Sequence, residues 1–140
     1  MFKELDLDNL RSWIGKTEIV EDILTPSLEQ KFRATLDVDV EDPRLGDESS
    51  SGIHWTLAPP ITKFSDLGRD SHAARGDFLP PVPLPRRMWA GCETHFLSPF
   101  YVGDHIVRKS SIIDVSLKEG KTGKLCFVKI KHKFLVKNKN

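Results

Sequence analysis

The residues of this chain best suited to proton transfer lie in the segment GRDSHAARG, where Asp70 and His72 are two positions apart. A carboxylate beside a histidine can abstract, donate or relay a proton, so the pair is a candidate for general acid–base catalysis. Glycines flank the segment, and an aspartate and a histidine in such a loop are more often exposed polar residues. Both interpretations stay open at this point.

A second group of candidates combines cationic and aromatic side chains. Arg86 and Arg87 offer planar forks of N–H donors that can bind a carboxylate or a phosphate. Because adjacent residues of an extended chain point to opposite sides, we expect at most one of them to face a ligand. Trp55 and Trp89 are large enough to form the walls of a pocket. These four residues are our substrate-binding candidates.

The other histidines stand singly, at positions 54, 95, 105 and 132. No pair of them has the helical or hairpin spacing of metal ligands, so we predict no metal. His132 falls on the apolar face of a predicted strand, where a hydrogen-bonded core histidine is commoner than a ligand.

Composition and the N-terminal sequence exclude several classes of protein. The chain has 21 basic and 20 acidic residues and a formal net charge of +1, without the basic excess of a nucleic-acid-binding protein. MFKELDLDNL is not a signal peptide, and no run reaches the ~18 apolar residues of a membrane span. Cys92 and Cys126 are expected as buried free thiols in a reducing compartment. We predict one cytoplasmic domain over residues 1–140 that binds neither nucleic acid nor membrane.

Two helices are indicated near the N-terminus. The first should begin at Asp6 or Asp8, whose side chain can cap free N–H groups, and end at Gly15. The second has Thr25 as its cap and Pro26 in its first turn, and apolar residues then recur every four positions. This spacing predicts a helix with one face packed on a core.

Three strands are predicted in the last third of the chain, over residues 88–98, 106–118 and 125–137. In the last of these, apolar residues alternate with lysines, which is typical of a sheet with one covered face. Such a sheet needs a cover, and the second helix is the obvious candidate, so the predicted class is α+β.

The segment PPVPLPRR has two interpretations. Pro80 and Pro83 make a P-x-x-P motif, which interaction domains bind in its extended conformation. The alternative is a rigid segment laid across the sheet, which the strand-like flanks favour because free ligands usually lie in disordered regions.

Several segments resemble a known family of enzymes. FLPPVPLPRRMWAG (78–91), HWTL (54–57) and LGRDSH (67–72) are similar to segments of 3-methylfumaryl-CoA (mesaconyl-CoA) hydratases. SPFYVGD (98–104) resembles the P-x-x-x-G-D turn of MaoC-like hot-dog domains, and WIGK (13–16) also fits. The resemblance covers nearly the whole chain. It implies a hot-dog fold, an antiparallel sheet packed on a helix, of the MaoC-like N-terminal (FAS1-like dehydratase) type.

The resemblance also implies a role. Members of the family add water to the double bond of an acyl-CoA, or remove it, with an Asp and a His from a G-D-x-N-P-x-H motif in a C-terminal half. That motif is absent here, because Gly103-Asp104 continues as His-Ile and no asparagine precedes a proline. The implied function is therefore that of an acyl-CoA-binding half, inactive alone, with an unsaturated dicarboxylyl-CoA such as 3-methylfumaryl-CoA as substrate and no cofactor.

The resemblance leaves the partner and two alternatives open. The family's N-terminal half continues with one more strand beyond position 136, so the sheet is either one strand short or completed by a second hot-dog chain. That chain is a second copy or a catalytic subunit. The alternatives are a self-sufficient homodimeric hydratase that uses Asp70 and His72, and a non-enzymatic interaction module that presents the Pro-rich segment.

Overall fold

The structure, a computed structural model, describes residues 5–39, 41–121 and 123–137. Its elements are α1 (Leu7–Arg11), β1 (Thr17–Ile23), α2 (Pro26–Thr35), two short 3₁₀ turns (Ile53–Thr56 and Phe64–Asp66), β2 (His105–Gly120) and β3 (Gly123–Val136). The strands form one antiparallel sheet in the order β1-β2-β3. The predicted α+β class is confirmed.

Both helices begin where local capping chemistry predicted. The Asp6 side chain accepts a hydrogen bond from the Asn9 N–H at 3.0 Å and so caps α1. The Thr25 hydroxyl accepts one from the Leu28 N–H at 3.1 Å and caps α2. The predicted end of the first helix at Gly15 is wrong, because α1 ends at Arg11 and Gly15, with a φ of 92°, closes the turn that follows. These interactions span only a few residues, which is why they could be predicted from the sequence.

Two of the three predicted strands are confirmed, as β2 and β3, but the strand predicted over residues 88–98 is wrong. That stretch has no strand partner in the described part of the chain, and side chains such as Leu97 are exposed. The neighbour of β2 is instead β1, which the sequence did not reveal. Burial alternates along β1, but the apolar residues do not follow it, because Asp22 is half-buried while Ile19 is 60% exposed.

The described residues divide into two compact units. The first unit contains the described parts of Met1–Glu18, Pro60–Gly91 and Ser110–His132. Its core consists of Leu10, Ile112 and Val115, and Phe78 and Val82 pack against it. Because these two residues flank the buried Pro80, the Pro-rich segment is part of this core.

The packing of the Pro-rich segment decides between its two interpretations. The Arg75 guanidinium donates to the carbonyls of Val82 and Leu84, each at 2.5 Å, which fixes the backbone of the segment in place. A ligand for an interaction domain must instead be free to leave its own protein. The packed interpretation is confirmed, and a freely presented Pro-rich ligand is wrong.

The second unit contains Ile19–Pro59, Cys92–Lys109 and the described part of Lys133–Asn140. Its buried core consists of Leu24, Ile53, Leu57 and Ile106. Leu28 and Phe32 of α2 pack against this cluster, together with Phe134 of β3. The second helix therefore covers apolar residues of the sheet, as predicted.

Both cysteines are free thiols, but they differ in burial. Cys92 is exposed and lies outside any strand, so its predicted burial is wrong. Cys126 is partly buried on β3, and burial raises the pKa of its thiol. Within the described ranges, no helix has the length and apolar character needed to cross a membrane.

Candidate functional site

Asp70 and His72 are brought together in a tight turn of the first unit. The His72 N–H donates to Asp70 Oδ1 at 3.3 Å, and His72 Nδ1 lies 2.9 Å from the Asp70 carbonyl oxygen. Because a carbonyl oxygen can only accept, Nδ1 carries the proton in this contact. The turn closes with a bond of 2.7 Å from the Gly68 N–H to the His72 carbonyl. These contacts hold the loop in shape.

The carboxylate of Asp70 is also paired with a cation. Arg87 Nε lies 3.2 Å from Asp70 Oδ2. Desolvation raises the pKa of this carboxyl, but the His72 N–H and the Arg87 charge lower it by more, so the pKa lies below its usual range. A general base that works near neutral pH needs a raised pKa. The environment of Asp70 instead lowers its pKa.

The two candidate arginines have different surroundings. Arg87 is half-buried and binds Asp70, and its Nη2 lies 3.4 Å from the Ala73 carbonyl. Arg86 is exposed and has no hydrogen-bond or ion-pair partner among the residues that the structure describes. Trp89, 74% exposed, belongs to the same unit. Arg86 is thus the candidate cation that is free to bind an anion from solution.

Trp55 lies in the second unit, beside a cavity lined by described residues. The cavity has a volume of about 240 Å³ and is lined by residues 48–54 and 96–100. The two segments are held together by bonds such as the one from the Ser49 N–H to the Phe100 carbonyl, at 2.9 Å. Trp55 follows directly on the lining, with 63% of its surface exposed.

His54 is part of the cavity lining and lies among three aromatic rings. Its ring meets those of Trp55, Phe96 and Phe134 at centroid distances of 5.6, 5.6 and 5.4 Å. Neither ring nitrogen has a hydrogen-bond partner in the described part of the chain. Burial lowers the pKa of His54 from its ordinary value of 6.5, so the imidazole is neutral at pH 7.

A buried carboxylate stabilises the wall of the same cavity. Glu29 of α2 is fully buried, and its Oε1 accepts from the Ser50 hydroxyl at 2.5 Å and the Ser50 N–H at 3.0 Å. Arg33 Nε donates to the same oxygen at 2.8 Å. Since Ser50 lines the cavity, Glu29 holds part of the cavity wall in place. Its Oε2 has no partner among the described residues.

His132 makes the hydrogen bond predicted for it, but its expected place in the core is wrong, because the residue is exposed. His132 Nδ1 lies 2.8 Å from the hydroxyl of Ser110, a fully buried residue on the neighbouring strand β2. The pair satisfies a buried hydroxyl inside the first unit. Elsewhere, no three His, Cys, Asp or Glu side chains gather in a metal-ligand arrangement within the described ranges.

The family of the chain follows from its sequence as well as from its fold. Residues 52–140 match the family described as hydroxyacyl-thioester dehydratase type 2. This match covers more than half of the chain, so the chain belongs to that family. Its antiparallel sheet packed on a helix is the hot-dog fold, as the resemblance implied.

A characterised relative gives a more particular comparison. The chain is 35% identical over 119 residues to the mesaconyl-C(4)-CoA hydratase of Chloroflexus aurantiacus. The aligned region covers 85% of this chain but only 42% of the relative. The chain therefore spans less than half the length of the protein it matches.

Trp55 was a candidate from the sequence, but His54 and Glu29 were not. His54 was only one of four histidines that stand singly, and Glu29 was not singled out. The signal for His54 is weak, because Phe96 and Phe134, which contact its ring, are distant in sequence. For Glu29, the sequence of α2 contains no sign of burial, since its neighbours Gln30 and Lys31 are also polar.

Proposed function

We propose that this chain is the acyl-CoA-binding, N-terminal-type half of a MaoC-like enoyl-CoA hydratase or dehydratase. In this proposal, a second hot-dog chain, either another copy or a separate subunit, supplies the groups that move protons at the substrate. The whole assembly works in the cytoplasm without a cofactor. The family match supports the thioester ligand, and the relative's name supports an unsaturated dicarboxylyl-CoA such as 3-methylfumaryl-CoA.

The environment of Asp70 is the main observation that supports catalysis by a second chain. Hydration of an enoyl thioester needs a base near the attacking water and donors near the thioester oxygen. Asp70 is the carboxylate of the Asp–His pair that the sequence offered for proton transfer, and its oxygens bind Arg87 and the His72 N–H. A low pKa and occupied oxygens make it a poor base, which favours catalysis by another chain.

Three exposed side chains are the candidates for substrate binding. Arg86 is a free guanidinium that can pair with the distal carboxylate of a dicarboxylyl-CoA or with a CoA phosphate. Trp89 and Trp55 expose aromatic surface on which an acyl chain or the adenine ring can pack. Each of these assignments is testable with the isolated chain, because binding does not require turnover.

The first experiment measures turnover. The purified chain is mixed with 3-methylfumaryl-CoA, and loss of the enoyl-thioester absorbance is followed. We expect no turnover by the chain alone, and turnover when a hot-dog chain with the G-D-x-N-P-x-H motif is added. Turnover by the isolated chain that disappears in both Asp70→Ala and His72→Ala would overturn the proposal and establish the self-sufficient hydratase.

The second experiment measures binding by calorimetry. Arg86→Gln should weaken binding of 3-methylfumaryl-CoA about tenfold, because one charge-assisted hydrogen bond is worth roughly 1.5–3 kcal/mol. Arg69→Gln is the matched control, since Arg69 is also exposed and unpaired within the described ranges of the same unit. Equal loss of affinity for crotonyl-CoA, which lacks the second carboxylate, would assign Arg86 to a CoA phosphate. No loss for either ligand would remove Arg86 from the site.

A further inference from the structure

The cavity in the second unit is small, and its lining combines serine hydroxyls, aromatic rings and the carboxylate-bearing residue Glu48. At about 240 Å³ it is smaller than the roughly 300–1,000 Å³ of pockets that hold whole drug-sized ligands. It can therefore hold only one portion of an acyl-CoA. Its lining combines the hydroxyls of Ser49, Ser50 and Ser51 with the aromatic rings of Phe96 and Phe100.

The charges around this cavity select against an anion. Glu48 lies on the lining, whereas the charge of buried Glu29 behind Ser50 is compensated by Arg33, so one carboxylate without a cationic partner among the described residues borders the cavity. No arginine or lysine is part of the lining. A phosphate or a free carboxylate would meet repulsion here. An uncharged polar group attached to an apolar chain suits these surroundings, because the rings can cover the apolar part.

His54 provides the hydrogen bond that such a group requires. Its imidazole is held by ring contacts on several sides, and both nitrogens are without a partner in the described part of the chain. A neutral imidazole has one N–H donor and one acceptor nitrogen. The ring nitrogens of His54 remain accessible to solvent, so a ligand carbonyl can accept the hydrogen bond from the N–H in place of water.

We propose that this cavity binds the thioester carbonyl of the acyl group and that the His54 N–H donates a hydrogen bond to its oxygen. The inference rests on the proposed acyl-CoA-binding function and adds a specific subsite and residue to it. The Ser50–Glu29 contact keeps the wall of the subsite in place before the ligand arrives, which lowers the cost of ordering it. His54 is thus a binding residue, and the proposal needs no proton transfer by this chain.

The experiment compares a thioester with a thioether of the same length. Butyryl-CoA has the thioester carbonyl, whereas S-butyl-CoA keeps the CoA part and its amide groups and lacks only that oxygen. We expect the wild-type chain to bind butyryl-CoA about fivefold more tightly, the effect of one neutral hydrogen bond. His54→Phe should abolish this preference while the aromatic contacts persist, and His54→Gln, which keeps an N–H donor, should retain part of it.

The matched control is His95→Phe, since His95 is exposed and its Nε2 is paired with Glu93 at 3.1 Å. This variant should keep the full preference for the thioester. If His54→Phe does not fold, the imidazole signals of His54 are followed by NMR in the wild-type chain. They should shift with butyryl-CoA and stay unchanged with S-butyl-CoA.

The outcomes separate this inference from the function on which it rests. If the wild-type chain binds neither compound, both the proposed acyl-CoA-binding function and the proposed subsite are wrong. If the chain binds both compounds equally, the subsite is wrong and acyl-CoA binding stands. If His54→Phe keeps the preference, the assignment of the hydrogen bond to His54 is wrong. If a preference remains in His54→Phe but is absent from Ser50→Ala, the carbonyl lies at the serine wall and the assignment to His54 is overturned.

Discussion

Removing the buried carboxylate of Glu29 should destabilise the second unit strongly. Three hydrogen bonds converge on its Oε1, one from Arg33 at 2.8 Å and two from Ser50 at 2.5 and 3.0 Å. Breaking a buried ion pair by deleting one partner costs about 3–5 kcal/mol, because the other partner stays buried and uncompensated. The Arg33 side chain keeps 20% of its exposure and can recover some hydration, so we expect Glu29→Ala to cost about 3 kcal/mol.

The conservative variant Glu29→Gln should fall between wild type and Glu29→Ala. Glutamine keeps an oxygen that can accept from Ser50, but it loses the charge that pairs with Arg33. Its amide nitrogen would also lie at the position of Oε2, which has no partner within the described ranges. A charge-assisted hydrogen bond is stronger than a neutral one, and we expect a cost of about 1–2 kcal/mol.

Urea unfolding followed by far-UV circular dichroism measures both costs, with Glu41→Ala as the control. Glu41 is an exposed glutamate of the same unit, and its removal should change stability by less than about 0.5 kcal/mol. In thermal melts, Glu29→Ala should lower the midpoint by about 12 °C, at roughly 4 °C per kcal/mol for a chain of this size. A loss below about 1 kcal/mol in Glu29→Ala would refute the reasoning that this carboxylate network stabilises the unit.

Three further predictions concern stability. Because burial lowers the pKa of His54 in the folded chain, the unfolded chain binds a proton at higher pH, so stability should fall as the pH drops below 6.5. The urea midpoint should therefore decrease less between pH 7.5 and pH 5 in His54→Gln than in wild type. Equal decreases in the two proteins would contradict the lowered pKa of His54. Thr25→Ala should cost about 1 kcal/mol in urea unfolding, because the N–H of Leu28 loses its cap, whereas Thr25→Ser should retain most of the stability. Leu24→Ala should cost roughly 2–5 kcal/mol, since Leu24 is fully buried in the core of the second unit, and a cost below about 1 kcal/mol would show that this site is not close-packed.

The elements that the sequence predicted correctly are those whose signals are local. The caps of Asp6 and Thr25 act on N–H groups three residues away, so both helix starts were visible in the sequence. The alternation of apolar residues with lysines along the last strand predicted β3 as a strand with one covered face. The family motifs, compact segments such as HWTL, could likewise be recognised without a structure.

The identity of the third strand depended on tertiary structure. Residues 88–98 have a composition typical of a strand, whereas β1 carries the carboxylates of Glu18 and Asp22 on its more buried side. Asp22 is accommodated there because its Oδ2 accepts from the Ala58 N–H at 2.8 Å. Ala58 is distant in sequence, so no local pattern could show that a carboxylate at this position would be satisfied.

The candidate site also depends partly on sequence and partly on tertiary structure. Sequence alone determined which side chains with suitable chemistry are present, that the catalytic motif of the family is missing, and which fold to expect. Only the tertiary structure paired Asp70 with Arg87, left Arg86 free, and enclosed His54 between rings from separate segments. Burial and pKa depend on which distant atoms exclude water from a group, and those atoms come together only when the chain folds.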